Sequence, residues 1–318
     1  MADGHILGIV ADIGGTHARF ALAAVSPSAS LVLSDCHTFA TADFPSLEAA
    51  VAAYRGKVDA PARAAFALAA PLVADEVKLT NNAWRFRQSE LQQSLDLDQL
   101  VLINDFAAIG HALPYCSDKD FQSLNGTGGF TLPREGAISI VGPGTGLGVG
   151  LLLRQPDRDI VAPSEGGHIG FAPPDPEASK LLETLWKAHG RVSAERLLCG
   201  DGLVLFYEAL GGKSGGAVAL WQAAIKGEDP LATAAMERWL YILGMYAGDI
   251  ALVHFSAAVV LAGGILPRLG PKLRGDILMA AFCDKGRFAP TMARLPVAML
   301  CNSQPGLLGA AAVLKAQG

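Results

Sequence analysis

Five short segments of this sequence combine carboxylates, hydroxyls and glycines at spacings that chemistry can use. The first, Asp12-Ile13-Gly14-Gly15-Thr16, leaves an apolar run, turns on two glycines and enters a second run. Such a turn offers backbone N–H groups and the Thr16 hydroxyl to an anion, because glycine lets a ligand approach the chain closely. An aspartate at the strand end would then hold a magnesium ion, through water. The same pattern also describes an ordinary Gly-Gly hairpin with a capping aspartate, and the residues alone leave both readings open. The second segment, Gly142-Pro143-Gly144-Thr145-Gly146-Leu147-Gly148, repeats the theme between two further apolar runs. Two Gly-Thr hairpins about 130 residues apart, each between strands, suggest facing half-domains that grip one polyphosphate. Neither is a dinucleotide fingerprint, since no register yields G-x-G-x-x-G. No Walker A loop is present either: Gly212-Lys213-Ser214 is the nearest match, and Tyr207 stands where the first glycine belongs.

The third segment is Leu102-Ile103-Asn104-Asp105-Phe106. An aspartate at the C-terminal end of a buried strand sits on the rim where α/β proteins bind ligands. Phosphoryl transfer to a hydroxyl needs little more than a carboxylate to accept the proton and orient the oxygen. Asp105 is equally suited to capping the helix that follows, and the two roles are compatible. The fourth is Ser164-Glu165-Gly166-Gly167-His168, with Glu195 in Val192-Ser193-Ala194-Glu195-Arg196. These side chains supply acceptors and a donor suited to a polyol, whereas Glu-x-x-His without further His or Cys is a poor zinc site. Glu195 also reads as a helix-start carboxylate facing the dipole. The fifth, Ala262-Gly263-Gly264-Ile265, follows a buried strand and either packs closely or lets an adenine or ribose lie near the backbone.

The elements that must position these residues follow from periodicity. His5 to Asp12, Arg19 to Val25 and Leu31 to Phe39 read as three adjacent strands, and Asp43 to Tyr54 as a helix. Ala64 to Leu68 and Leu100 to Ile103 are short buried strands, with a helix at Gln88 to Leu95 before the second and another opening at Asp105. That is the order of a ribonuclease-H-like half-domain. It restarts with strands from Ala137 and at Leu147 to Leu153, followed by a loop containing Pro163 and Pro173. The longest helix spans Asp229 to Leu252, its stripe of Met236, Trp239, Leu240 and Leu243 marking a core face. Ala257 to Leu261 and Leu295 to Leu300 are strands, and Gly306 to Ala316 is a closing helix. We expect domains at 1–112 plus 301–318 and at 113–300.

Composition narrows the function classes. The 318 residues suit two domains, with half of them hydrophobic, 36 glycines and no low-complexity stretch. A net charge of −5 argues against nucleic acid as a partner. Met1 to Val10 lacks a signal-peptide pattern, and the most apolar stretch, Ala137 to Leu153, is broken by Pro143 and glycines, so no membrane partner is expected. The cysteines at 36, 116, 199, 283 and 301 have no metal or redox spacing, which suits reduced thiols in the cytoplasm.

These segments, in this order, resemble the bacterial glucokinase family, distinct from the repressor-related sugar kinases and without their cysteine-rich zinc motif. The resemblance runs from Asp12 to Pro305-Gly306-Leu307-Leu308-Gly309, and its specific parts are Ile103-Asn104-Asp105-Phe106, Gly144-Thr145-Gly146-Leu147-Gly148, Glu165-Gly166-Gly167-His168 and Ser193-Ala194-Glu195-Arg196. It implies an α/β, two-domain actin-like fold with an interdomain cleft, the C-terminal helix returning to the first domain. It also implies ATP-dependent phosphorylation of glucose at the C6 hydroxyl. Asp105 then looks like the catalytic base, and Asn104, Asp105, Glu165, His168 and Glu195 like glucose ligands. Ala11, Asp12, Ile13, Gly14, Gly15 and Thr16 match the ATP segment, joined by Gly144, Thr145, Gly146, Gly263 and Gly264. Members need Mg2+ and form homodimers, and Asp12 is the expected magnesium residue. Two positions depart from the family pattern: His17 stands where Asn is common, and Gly170 where an acidic residue is common.

Two rivals are weaker. Gly212-Lys213-Ser214-Gly215-Gly216 matches the G-x-S-x-G of serine hydrolases, with Asp249 and His254 following in order. Val204 to Leu210 reads as helix, however, where a nucleophile elbow needs a strand. A sugar-sensing regulator would have no need of Asp105, and no DNA-binding extension precedes Asp12.

Overall fold

The computed structural model describes residues 5–70, 72–79, 82–126 and 128–317. Residues 1–4, part of the amino terminus considered above, lie outside them. The chain divides into two compact units, Met1–Ser117 with Asn302–Gly318, and Asp118–Cys301.

In the first unit, β1 (His5–Ile13), β2 (His17–Val25) and β3 (Leu31–Ala40) form an antiparallel meander. After α1 (Leu47–Arg55) comes β4 (Arg63–Leu68), parallel to β1. A hairpin of β5 (Glu76–Lys78) and β6 (Arg85–Arg87), then α2 (Gln88–Ser94), lead to β7 (Gln99–Asn104), parallel to β4. The sheet order is β3-β2-β1-β4-β7. α3 (Asp105–Ala112) leaves the end of β7.

β1 is buried on both faces. Ile9, Ala11 and Ile13 join Phe20, Val51, Tyr54 and Phe66 in one core, while Leu7 and Val10 join Ala21, Ala23 and Ala65 in another. The second core is completed by the last element, α12 (Pro305–Ala316), through Leu307, Ala310, Ala311 and Leu314.

The second unit repeats the plan. β9 (Gly136–Pro143), β10 (Leu147–Arg154) and β11 (Asp159–Ser164) are an antiparallel meander; β12 (Ala258–Leu261) and β13 (Val297–Leu300) add in parallel; and β8 (Phe121–Ser123) closes the far edge. The order β11-β10-β9-β12-β13 matches β3-β2-β1-β4-β7 place for place. The β1–β2 turn and the β9–β10 turn therefore hold the same topological position.

Between β11 and β12 lie α4 (Pro176–His189), α5 (Ala194–Leu198), α6 (Gly202–Ala209), α7 (Ala217–Lys226) and α8 (Pro230–His254). Asp229 caps α8, accepting from the Leu231 and Ala232 N–H groups, and Met236, Trp239, Leu240 and Leu243 are all buried as the stripe requires. α9 (Leu266–Leu269), α10 (Gly275–Cys283) and α11 (Ala289–Met292) precede β13.

Two expectations change. The helix expected from Asp43 starts at Leu47, because Phe44 precedes Pro45 and is held extended, and the Ser46 hydroxyl accepts from the Ala49 N–H as N-cap. Pro163, expected in a loop, lies in β11, where the sheet edge tolerates a residue without an N–H.

Candidate active site

The first unit gathers its predicted residues at the C-terminal ends of β1 and β7. Register aligns Ile13, Leu68 and Asn104 across β1, β4 and β7, so Ile13 and Asn104 stand about 10 Å apart by two strand spacings, with Asp12 one residue before that row and Asp105 one residue after it. Asn104 caps α3, its Oδ1 accepting from the Phe106 and Ala107 N–H groups at 2.9 and 3.2 Å. That commits the carboxamide oxygen and turns Asn104 toward donating from Nδ2. Asp105 Oδ1 also accepts from the Phe106 N–H, at 2.9 Å.

The Gly14–Thr16 turn is held from outside by Thr41, which is buried. Its hydroxyl donates to the Gly15 carbonyl at 2.8 Å and its N–H to the Thr16 carbonyl at 3.0 Å. Both carbonyls are thereby engaged, which removes two acceptors that would repel an anion at the turn. Ala11 and Ile13 are fully buried, so they can meet a nucleotide only through backbone. Asp12 stands opposite Arg19 in the hairpin register, with Nη1 at 3.2 Å from Oδ2. Burial pushes the Asp12 carboxyl above its ordinary value, and Arg19 works against that rise.

In the second unit Glu165, His168 and Glu195 come together with the Gly144–Gly146 turn. His168 lies between the carboxylates, its Nε2 3.7 Å from Glu165 Oε2 and its Nδ1 3.6 Å from Glu195 Oε1. The other Glu195 oxygen, Oε2, accepts from the Leu147 N–H at 2.9 Å. Arg191 donates to the His168 carbonyl and pins that loop. Gly263 follows β12 at positive φ, and a Cβ there would stand 2.4 Å from the Pro143 carbonyl oxygen, so the two glycine turns lie side by side. Thr145 at the turn's tip is exposed.

Arg19 and Thr41 escape the sequence reading. Arg19 had a signal: a tight turn after Ile13 sets residue 19 opposite residue 12. Thr41 had none, because its bond to Gly15 spans 26 residues. The serine-hydrolase residues do not assemble. The Ser214 hydroxyl accepts from the Gly216 N–H, Asp249 pairs with Lys285 at 2.9 Å, and His254 Nδ1 meets the Ser139 hydroxyl at 2.8 Å.

Among the described residues no cluster of three or more His, Cys, Asp or Glu could hold a metal. Asp12, one carboxylate at a strand end, fits a magnesium ion that arrives on a nucleotide, since Mg2+ keeps waters and phosphate oxygens as its other ligands. No helix among the described residues is long and apolar enough to cross a membrane.

Comparison with known proteins bears on the family and the fold. A family model described as Glucokinase matches residues 9–317. The glucokinase of Zymomonas mobilis subsp. mobilis is 43% identical over 312 residues, 96% of each chain. That of Chromohalobacter salexigens is 41% identical over 315 residues, 96% of this chain and 97% of the relative. A glucokinase crystal structure from an Antarctic psychrotroph has 35% identity and a TM-score of 0.85, covering 99% of this chain and 100% of that one. The glucokinase of Balamuthia mandrillaris, solved with glucose, shares the fold at 22% identity and a TM-score of 0.79, over 98% of this chain and 94% of its own. Fold and comparisons together define a sugar kinase of the two-domain actin-like class. The chain belongs to the glucokinase family.

Proposed function

We propose that the chain transfers the γ-phosphoryl group of ATP to the C6 hydroxyl of glucose, giving glucose 6-phosphate and ADP, and that the residues brought to the strand ends carry out the transfer. Family membership supports a glucose kinase. The observation that carries the residue assignment is the position of Asp105, first residue of α3 at the end of β7, in register with the strand that bears Asp12.

Asp105 accepts the proton of the C6 hydroxyl as that oxygen attacks phosphorus. Asn104, Glu165, His168 and Glu195 pair with the sugar's hydroxyls. Asn104 donates from Nδ2, its oxygen being spent on the α3 cap, while the two glutamates accept. Ala11 to Thr16, Gly144 to Gly146 and Gly263-Gly264 receive the nucleotide, their glycines letting phosphate and ribose approach the backbone. Asp12 holds magnesium, through water; that ion, when bound, spreads the negative charge of the phosphoryl oxygens. The two compact units serve as the two domains of the kinase. The resemblance extends the reading to a cytoplasmic homodimer, which sedimentation of the purified chain tests.

The deciding experiment measures ADP release from Mg-ATP with glucose, mannose, fructose, glucosamine and N-acetylglucosamine. Turnover with glucose far above the rest is expected. Preference for another sugar overturns the substrate assignment and keeps the mechanism, because one hydroxyl's orientation is read by small differences in a pocket. No turnover with any of them refutes the reading.

A further inference from the structure

α5 meets the Gly144–Gly146 turn at both of its ends. Near its start, Glu195 Oε2 accepts from the Leu147 N–H, where the turn runs into β10. Just past its end, the Gly200 N–H donates at 2.8 Å to the Gly144 carbonyl, where the turn begins. The turn closes on itself through the Gly144 N–H and the Gly146 carbonyl, also at 2.8 Å. Gly200 is fixed in turn by the Trp221 indole N–H, which donates to its carbonyl at 2.8 Å. The start of α5 is also stitched to the loop that bears His168: the Ala194 N–H donates to the Ile169 carbonyl at 2.9 Å, and the Phe171 N–H to the Val192 carbonyl at 3.1 Å.

Glu195 thus divides its carboxylate, one oxygen toward His168 and one on the turn's backbone. The packing leaves no slack between them. A Cβ at Gly146 would stand 2.5 Å from Glu195 Oε2, and one at Gly167 would stand 2.0 Å from the Leu147 carbonyl oxygen.

We propose that Glu195 is the positioning residue of the Gly144–Gly146 turn, so that a sugar on its carboxylate and a nucleotide on the turn bind as one coupled event. This rests on the reading of Glu195 as a sugar ligand. A hydroxyl bonded to Oε1 fixes the carboxylate plane, and the charge-assisted bond from Oε2 then fixes the Leu147 N–H and the turn before it. By linkage the nucleotide must return the same factor to the sugar.

The test is calorimetry on the full chain, with glucose, with a non-hydrolysable Mg-ATP analogue, and with each in the presence of the other. In the unaltered chain the two ligands tighten each other by an equal factor, at least about fivefold. Gly146→Ala, which alters no group offered to a sugar, weakens glucose binding measured without nucleotide and brings the coupling factor toward one. Thr145→Ala, on the same turn but away from Glu195, weakens the nucleotide and leaves glucose alone. Glu195→Ala weakens the nucleotide measured without sugar, whereas Glu195→Gln, which keeps an acceptor for the Leu147 N–H, restores it. This last pair decides the matter if Gly146→Ala does not fold. A coupling factor of one in the unaltered chain, or nucleotide affinity equal in the Ala and Gln variants and the unaltered chain, overturns the coupling and leaves the kinase reading standing. Failure of the unaltered chain to bind glucose overturns both.

Discussion

Replacing Gly306 by alanine probes how closely the last helix presses on the proposed magnesium residue. A Cβ at position 306 would stand 2.6 Å from Asp12 Cγ and 2.9 Å from each of its oxygens. Relief requires the carboxylate to turn away, and Oδ2 is held at 3.2 Å by Arg19. In a helix, alanine is intrinsically better than glycine by up to about 1 kcal/mol. Overpacking a tight site costs about 1–3 kcal/mol, so the steric term wins and net destabilisation is expected. For domains of this size each kcal/mol lowers the melting temperature by roughly 2–4 °C. The displaced carboxylate also raises the KM for Mg-ATP, while glucose affinity in the absence of nucleotide stays as it was. Thermal melts and initial rates on Gly306→Ala, Asp12→Ala and the double variant form a cycle. Gly306→Ala should cost markedly less in the Asp12→Ala background, because the clash is gone. An equal cost in both backgrounds would refute the argument that α12 bears on Asp12.

Three further outcomes follow from the same geometry. Asp105→Asn should lower turnover by several orders of magnitude while glucose binding falls much less, because an Asn at 105 keeps a side-chain oxygen for the Phe106 N–H and the Asn104 cap of α3 is untouched; near-normal turnover, measured by coupled ADP release, would remove Asp105 from the role of base. Thr41→Val leaves the Gly15 carbonyl without its hydroxyl donor, at a cost of about 1–3 kcal/mol. Melting should record that loss, with a raised KM for ATP and an unchanged glucose affinity. His254 is held below its ordinary value by burial beside Ser139, so the unfolded chain takes up its proton first as the pH falls. Stability from this group is full above roughly pH 6.5 and declines below it; denaturant midpoints followed downward through that window should fall more steeply for the unaltered chain than for His254→Gln.

The strands and turns that carry the site were legible because their signals are local. The apolar run His5 to Asp12 and the glycines after it announce a strand and a tight turn without help from the rest of the chain, and β1 forms there. The stripe Met236, Trp239, Leu240 and Leu243 likewise specifies one face of α8. The rest was hidden for physical reasons. β5 and β6 are three residues each, too short for a period to register. Pro163 argues for a loop until one knows that β11 is an edge strand. Within the candidate site, residue types marked Glu165, His168 and Glu195, but the bond from the Leu147 N–H to Glu195 spans 48 residues and depends on how α5 packs. The press of Gly306 on Asp12 joins the two ends of the chain, where no local pattern reaches.

The position of α12 also fixes an order of events during synthesis. β1, β2 and β4 are made before the second unit, yet the face bearing Leu7, Val10, Ala21, Ala23 and Ala65 is covered by Leu307, Ala310, Ala311 and Leu314, which are made after it. The first unit therefore starts to leave the ribosome before the second and is finished after it, with the whole second unit translated in between. Until then it exposes an apolar sheet face of the kind that chaperones hold and that promotes aggregation. Cutting the chain before Pro305 should leave a nascent-like species, deprived of the segment that both seals the sheet and presses on Asp12.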